Sequence, residues 1–239
     1  MLEKKEVGYF VIAGFVIGYL FAFNDLLAGN FLKWLELGAL GTLIVFITGF
    51  VCEIAASRFG CDAEFRLWMS DIRLAKKSRF QRTAPWFIPA WLIVPVAFVV
   101  LTWGYIKWLG IIVFDAVPSS RVHKRFVDLT EWELALIAST IPFTSLLIAV
   151  IAQLAGWKTL AMMSVLYALF NLIPIHELTG TKIFFGSMML WIFAAIFTIA
   201  IFILIGIAGT TGQIFTVIIA AAIIAVVAVI LFYLFHEAR

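Results

Sequence analysis

PWFIPAWLIVPVAFVVLTWGYIKWLGIIVF, residues 85–114, decides the fold, because its direction through a bilayer sets the direction of everything after it. Its 30 residues exceed the roughly 20 apolar residues that a helix needs to cross a hydrocarbon core of about 30 Å. Pro85, Pro89, Pro95, Gly104 and Gly110 interrupt it, and interior prolines remove helical N–H donors. The segment either crosses once or enters and leaves on one side.

Basic residues distinguish the two arrangements, because Lys and Arg accumulate in cytoplasmic loops. A single crossing puts Lys4, Lys5, Lys158 and the seven basic residues of 57–84 (Arg58, Arg66, Arg73, Lys76, Lys77, Arg79 and Arg82) on one side, ten against seven. A re-entrant segment puts Lys4, Lys5, those seven, Arg121, Lys124, Arg125, Lys182 and Arg239 together, fourteen against Lys33 and Lys158, with Lys107 unassigned. The second arrangement is far more polarised. It predicts both termini in the cytoplasm and a non-spanning insertion that protein must cover, since irregular backbone facing lipid leaves amides unpaired.

The rest of the chain agrees with a membrane environment. Of 239 residues 64% are hydrophobic and 13% charged, with a mean hydropathy of +1.12, too little polar surface for a soluble domain of this size. Spanning helices are predicted at 7–27, 35–56, 132–154, 184–208 and 213–235, with a slightly short sixth at 158–175. The fold class is therefore an all-α polytopic membrane protein, one transmembrane domain over 1–239, with about six spans and a re-entrant segment. The first stretch reads as a retained helix, since no small-residue cleavage site precedes the next polar loop. The net charge of +3 is too small to suggest nucleic acid, and the expected partners are lipid and other transmembrane proteins.

Little in the chain suggests chemistry. His123, His176 and His236 have no second histidine three or four positions away, so no helix offers a two-histidine metal face. HELTG at 176–180 starts like a zinc-protease motif, but glycine stands where the second ligand belongs. Cys52 and Cys61 form neither a disulfide framework nor a CxxC site. Glu53 lies near the end of the second span, where a carboxylate is costly; it either sits hydrated at the interface beside Arg58 or makes a buried contact to a helix or ion. Glu36 and Glu133 fall at helix starts and complement the dipole. Gly14, Gly18, Gly38 and Gly41 mark close helix packing, within one chain or between chains.

Three patterns read together resemble the site-2 protease family of intramembrane zinc metalloproteases, in particular its archaeal-type members. ASRFGCDAEFRLW at 56–68 resembles the stretch following the family's HExxH helix. TIPFTS at 140–145 is similar to its AGPLTN, keeping Pro142 and Thr144. NLIPIHELTGTK at 171–182 looks like its NLxPxxxLDGxK, keeping Asn171, Pro174, Leu178, Gly180 and Lys182. Arg58 and Gly60 belong to the first pattern. The resemblance covers 48–182 and implies a protease-like core in a prokaryotic, archaeal cytoplasmic membrane.

The active-site positions implied by that resemblance are degenerate. Aligned on ArgPheGly, HExxH falls on residues 48–52, so Thr48 and Cys52 replace the histidines and Gly49 the catalytic glutamate, while Thr179 replaces the aspartate of LDG. Threonine hydroxyls are poor zinc ligands, and without zinc or a general base hydrolysis has no activated water. The expectation is a pseudoprotease with no catalytic residue, metal or cofactor, binding other transmembrane segments or serving as a subunit of a membrane complex. Two alternatives remain: a protease with a metal site rebuilt from Cys52, Glu53, His176 and Glu177, and a transport protein using Glu53.

Overall fold

A computed structural model describes residues 4–72, 86–119, 129–207 and 214–237. The protein is mostly helical. Helix α1 (Lys4–Leu27) and helix α2 (Phe31–Arg58) form an antiparallel hairpin, turned by Gly29 at φ +84°. Together with α4 (Glu131–Leu154) they are, among the described residues, three helices long and apolar enough to cross a membrane. Helix α3 (Ala90–Leu101) is shorter and apolar, as are Met188–Ile203 and Ile218–Ile230 within α7 (Met188–Ile207) and α8 (Ile214–Glu237). Helix α5 (Lys158–Asn171) and the eight-residue α6 (Thr179–Gly186) lie between α4 and α7.

The glycine strip packs the hairpin within one chain. A Cβ on Gly18 would land on the backbone of Gly38, one on Gly14 on the backbone of Thr42, and one on Gly41 would lie 2.6 Å from Gly14 O. Glycine there lets two backbones meet, as at small-residue membrane interfaces. Helix α4 begins with a capping box, in which Glu133 N donates to Thr130 Oγ1 at 3.2 Å and Thr130 N to the Glu133 carboxylate at 3.1 Å. Glu133 thus has a specific task beyond complementing the dipole, and Glu36 pairs with Lys33 at 2.9 Å.

The polar stretch 57–84 and the insertion after it contain strands that hydropathy did not reveal. Strand β1 (Cys61–Leu67) pairs antiparallel with β4 (Ile112–Pro118), from Cys61 opposite Pro118 to Leu67 opposite Ile112. Strand β2 (Ser70–Ile72) pairs with β3 (Trp86–Ile88). Burial in β1 alternates, with Ala63, Phe65 and Leu67 inward and Asp62, Glu64 and Arg66 outward, the two-residue period of a half-buried strand. Arg73, Lys76, Lys77, Arg79, Arg82, Arg121, His123, Lys124, Arg125 and Arg239 lie outside the described residues.

The insertion returns to where it began. Ser119 N donates to Gly60 O at 3.1 Å, and Cys52 near the end of α2 lies against Ile137 near the start of α4. Between these points the chain travels far: a Cβ on Gly104, just beyond α3, would lie 3.3 Å from Asn24 near the other end of α1. Eighteen residues of helix separate Asn24 from Glu6, about 27 Å. Residues 105–111 come back without helix, and their last four, Trp108 to Ile111, are buried by protein.

Two predicted spans are adjusted. The one at 158–175 ends as helix at Asn171, just ahead of Pro174, whose ring cannot continue a helix. The one at 184–208 starts within α6, breaks at the extended Ser187 (φ −162°) and resumes as α7. The main core joins α1, α2, the β1–β4 ribbon, α4 and α5, and a second cluster around Ala149, Ala168, Ile201 and Ala221 joins α4, α5, α7 and α8.

Candidate functional site

Helices α2 and α6 bring Thr48, Gly49, Cys52 and Thr179 to one place, joined through α5. Thr48 and Cys52 stand one turn apart on the buried face of α2, with Gly49 beside them. Thr179 opens α6, and α5 supplies Tyr167 and Asn171, again one turn apart. The side-chain oxygen of Thr179 donates to Asn171 Oδ1 at 3.3 Å, and Asn171 Nδ2 donates to Tyr167 O at 2.9 Å. Tyr167 lines one small cavity together with Thr48 and Asn171. Thr48 donates back into its own helix, 2.9 Å from Ile44 O and 3.0 Å from Val45 O. Cys52 Sγ faces Ile137 O at 3.9 Å and neighbours Thr140.

This is a buried network of hydroxyls, a carboxamide and a thiol. Tyr167 was missed from sequence, although its place four residues before Asn171 puts both on one helix face. None of these side chains is a carboxylate or imidazole. Among the described residues no three His, Cys, Asp or Glu side chains group as metal ligands. His176 sits in the α5–α6 loop at φ +48°, Glu177 pairs with Arg66 at 3.2 Å, and His236 lies near the end of α8. Neither Cys52 nor Cys61 is in a disulfide.

The ribbon roofs this network. Phe65 from β1 and Ile112 and Phe114 from β4 close over Thr48, Tyr167 and Asn171, leaving a cavity of about 10 Å³, room for one water at most. Phe10 of α1 fills the place beside Gly49, where a Cβ would lie 2.6 Å from its Cζ. Phe10 also packs edge-on against Phe65, ring centroids 5.0 Å apart.

Glu53 has a task that neither the interfacial reading nor a contact to a helix or ion describes. It is only 8% exposed, and its carboxylate accepts from Ala63 N at 2.9 Å. Glu6 does the same for Phe65 N at 2.8 Å. Two acids from adjacent helices thus serve the edge of β1 turned away from β4, meeting donors that burial would otherwise leave unpaired. On the other side, Asp115 of β4 takes Arg66 at 2.9 Å and Lys182 of α6 at 2.8 Å. The Lys182 ammonium also stands 4.3 Å from the centroid of Phe114.

Arg58 is the exposed last residue of α2, and Gly60 at φ +74° turns the chain into β1. A Cβ on Gly180 would land on the Leu172 carbonyl. Pro142 is buried within α4, and Pro174 lies in the exposed loop before α6.

Fold and site together define a mostly helical, membrane-compatible protein with an uncharged polar cluster under a β-ribbon. No family model, curated protein or solved structure matches the chain.

Proposed function

We propose that this chain is a catalytically inactive, site-2-protease-like membrane protein, a binding or structural subunit for other transmembrane segments. Helices α1, α2, α4, α5, α7 and α8 cross a prokaryotic cytoplasmic membrane, and the segment 85–114 re-enters it, with both termini in the cytoplasm. What supports the topology is the return of the insertion to Gly60, with α4 starting beside the end of α2. The observation that carries the loss of catalysis is the packing at Gly49, where the motif's general base would stand and Phe10 stands instead. The donor set points the same way, since Thr48, Cys52 and Thr179 supply one thiol and two hydroxyls where zinc needs three strong ligands.

The binding half of the proposal is tested by photocrosslinking in native membranes. Leu43, Phe46, Phe50 and Ile54 form an exposed apolar stripe on α2, and Leu147 is similarly exposed on α4. A benzophenone amino acid at Phe50 or Leu147 is expected to give one protein adduct of reproducible mass. Lipid adducts alone from both helices would contradict a partner on these faces.

A further inference from the structure

The β1–β4 ribbon is held on its two sides by bonds of different kinds. Towards α1 and α2, the carboxylates of Glu6 and Glu53, each less than a tenth exposed, accept from Phe65 N and Ala63 N. Such buried charge-assisted bonds are strong and poorly screened. Towards α6, the ties are the pairs Arg66–Asp115, Arg66–Glu177 and Lys182–Asp115. Arg66, Asp115 and Glu177 are 52%, 47% and 39% exposed there, so the two Arg66 pairs are weak and screened by salt, while Lys182, 14% exposed, makes the more shielded tie to the half-exposed Asp115.

Beneath the ribbon lies the buried polar cluster, around a cavity with room for one water at most. We infer that the ribbon is a latched lid: its Glu6–Glu53 side is the hinge, and the Arg66–Asp115–Lys182–Glu177 network is the latch that keeps the cluster closed. Releasing the latch swings Phe65 and Phe114 away from Thr48, Tyr167 and Asn171 and opens the cluster on the α6 side, opposite the hinge. The lid goes beyond the proposed function, and its test does not depend on what binds the α2 and α4 faces.

Cys52 is the reporter, because it is fully buried beside the cluster and a thiol reacts only when it is exposed. The experiment measures the rate of N-ethylmaleimide labelling of Cys52 in the Cys61→Ser protein, purified in neutral detergent, between about 0.05 and about 1 M salt, a range over which the screening length falls several-fold. Labelling is expected to be slow at low salt and several-fold faster at high salt. Lys182→Met should be fast throughout and lose the salt dependence, whereas Lys182→Arg should keep both the protection and the dependence. The wild-type salt series stands even if Lys182→Met fails to fold. Labelling that is independent of salt in the wild-type background, or equal in Lys182→Met and Lys182→Arg, would overturn the lid. A partner found on α2 or α4 leaves these labelling rates unchanged, so the two proposals fail separately.

Discussion

The ring of Phe10 stands where a side chain on Gly49 would have to go: a Cβ there would lie 2.6 Å from Phe10 Cζ and 2.9 Å from Cε2. A glutamate at this position has no room while α1 and α2 keep their spacing. Restoring the motif's base by Gly49→Glu is therefore expected to destabilise the protein by about 2–4 kcal/mol, through overpacking and a buried carboxylate. Gly49→Ala should cost less. In the double variant with Phe10→Ala the overpacking cost should vanish, so the two effects combine to less than their sum. Thermal unfolding in detergent reads all three variants.

Removing either acid that serves β1 should act on one amide each. Glu53→Ala is expected to accelerate hydrogen exchange at Ala63, and Glu6→Ala at Phe65, with a loss of about 1–3 kcal/mol of local protection for the donor left unpaired. Glu53→Gln keeps an acceptor oxygen and should show a smaller effect. Ion flux in proteoliposomes that depends on Glu53, tested with the same Gln variant, would instead favour the transport alternative.

Gly60 and Gly180 are constrained for different reasons, and substitution should separate them. Gly60→Ala meets a positive φ and is expected to cost about 1–2 kcal/mol. Gly180→Ala would place its methyl on the Leu172 carbonyl, so α6 must move, shifting Thr179 from Asn171 as well as lowering the unfolding temperature. Differential scanning of both variants, with Cys52 labelling as a probe of the cluster, distinguishes them.

The insertion makes a topological prediction in a cysteine-free background. Ser119→Cys should label from the cytoplasmic side. Trp103 and Tyr105 are 72% and 90% exposed at the tip beside Asn24; the proposed topology puts them at the opposite interface, where aromatics are favoured, so Tyr105→Cys should label from outside. Labelling of Ser119→Cys from outside would mean that the segment crosses once. Ser78, a natural second site for such labelling, lies outside the described residues.

Hydropathy marked α1, α2, α4 and α8 to within a few residues, because a long apolar run has few other outcomes in lipid. The strands were not legible. β1 alternates CysAlaPheLeu with AspGluArg, yet its charges read as a cytoplasmic loop, and its partner β4 lies far along the chain, from Ile112 onward, beyond any local pattern. Glu53 looked interfacial because sequence shows its depth but not Ala63 N, which approaches only once β1 folds back on the hairpin. Thr48, Cys52, Asn171 and Thr179, singled out in the sequence, lie close together in the structure. Phe10 was not legible, since no periodicity announces that a ring from α1 fills the space beside a glycine of α2.

Whether the buried cluster holds a metal tests the proposed loss of catalysis most directly, and elemental analysis of detergent-purified protein, beside its Cys52→Ser variant, answers it. We expect less than about a tenth of an equivalent of any transition metal in both, far below the full occupancy that a catalytic site requires. Near one equivalent of metal in the wild type that is lost in Cys52→Ser would refute the loss of catalysis and restore the enzyme.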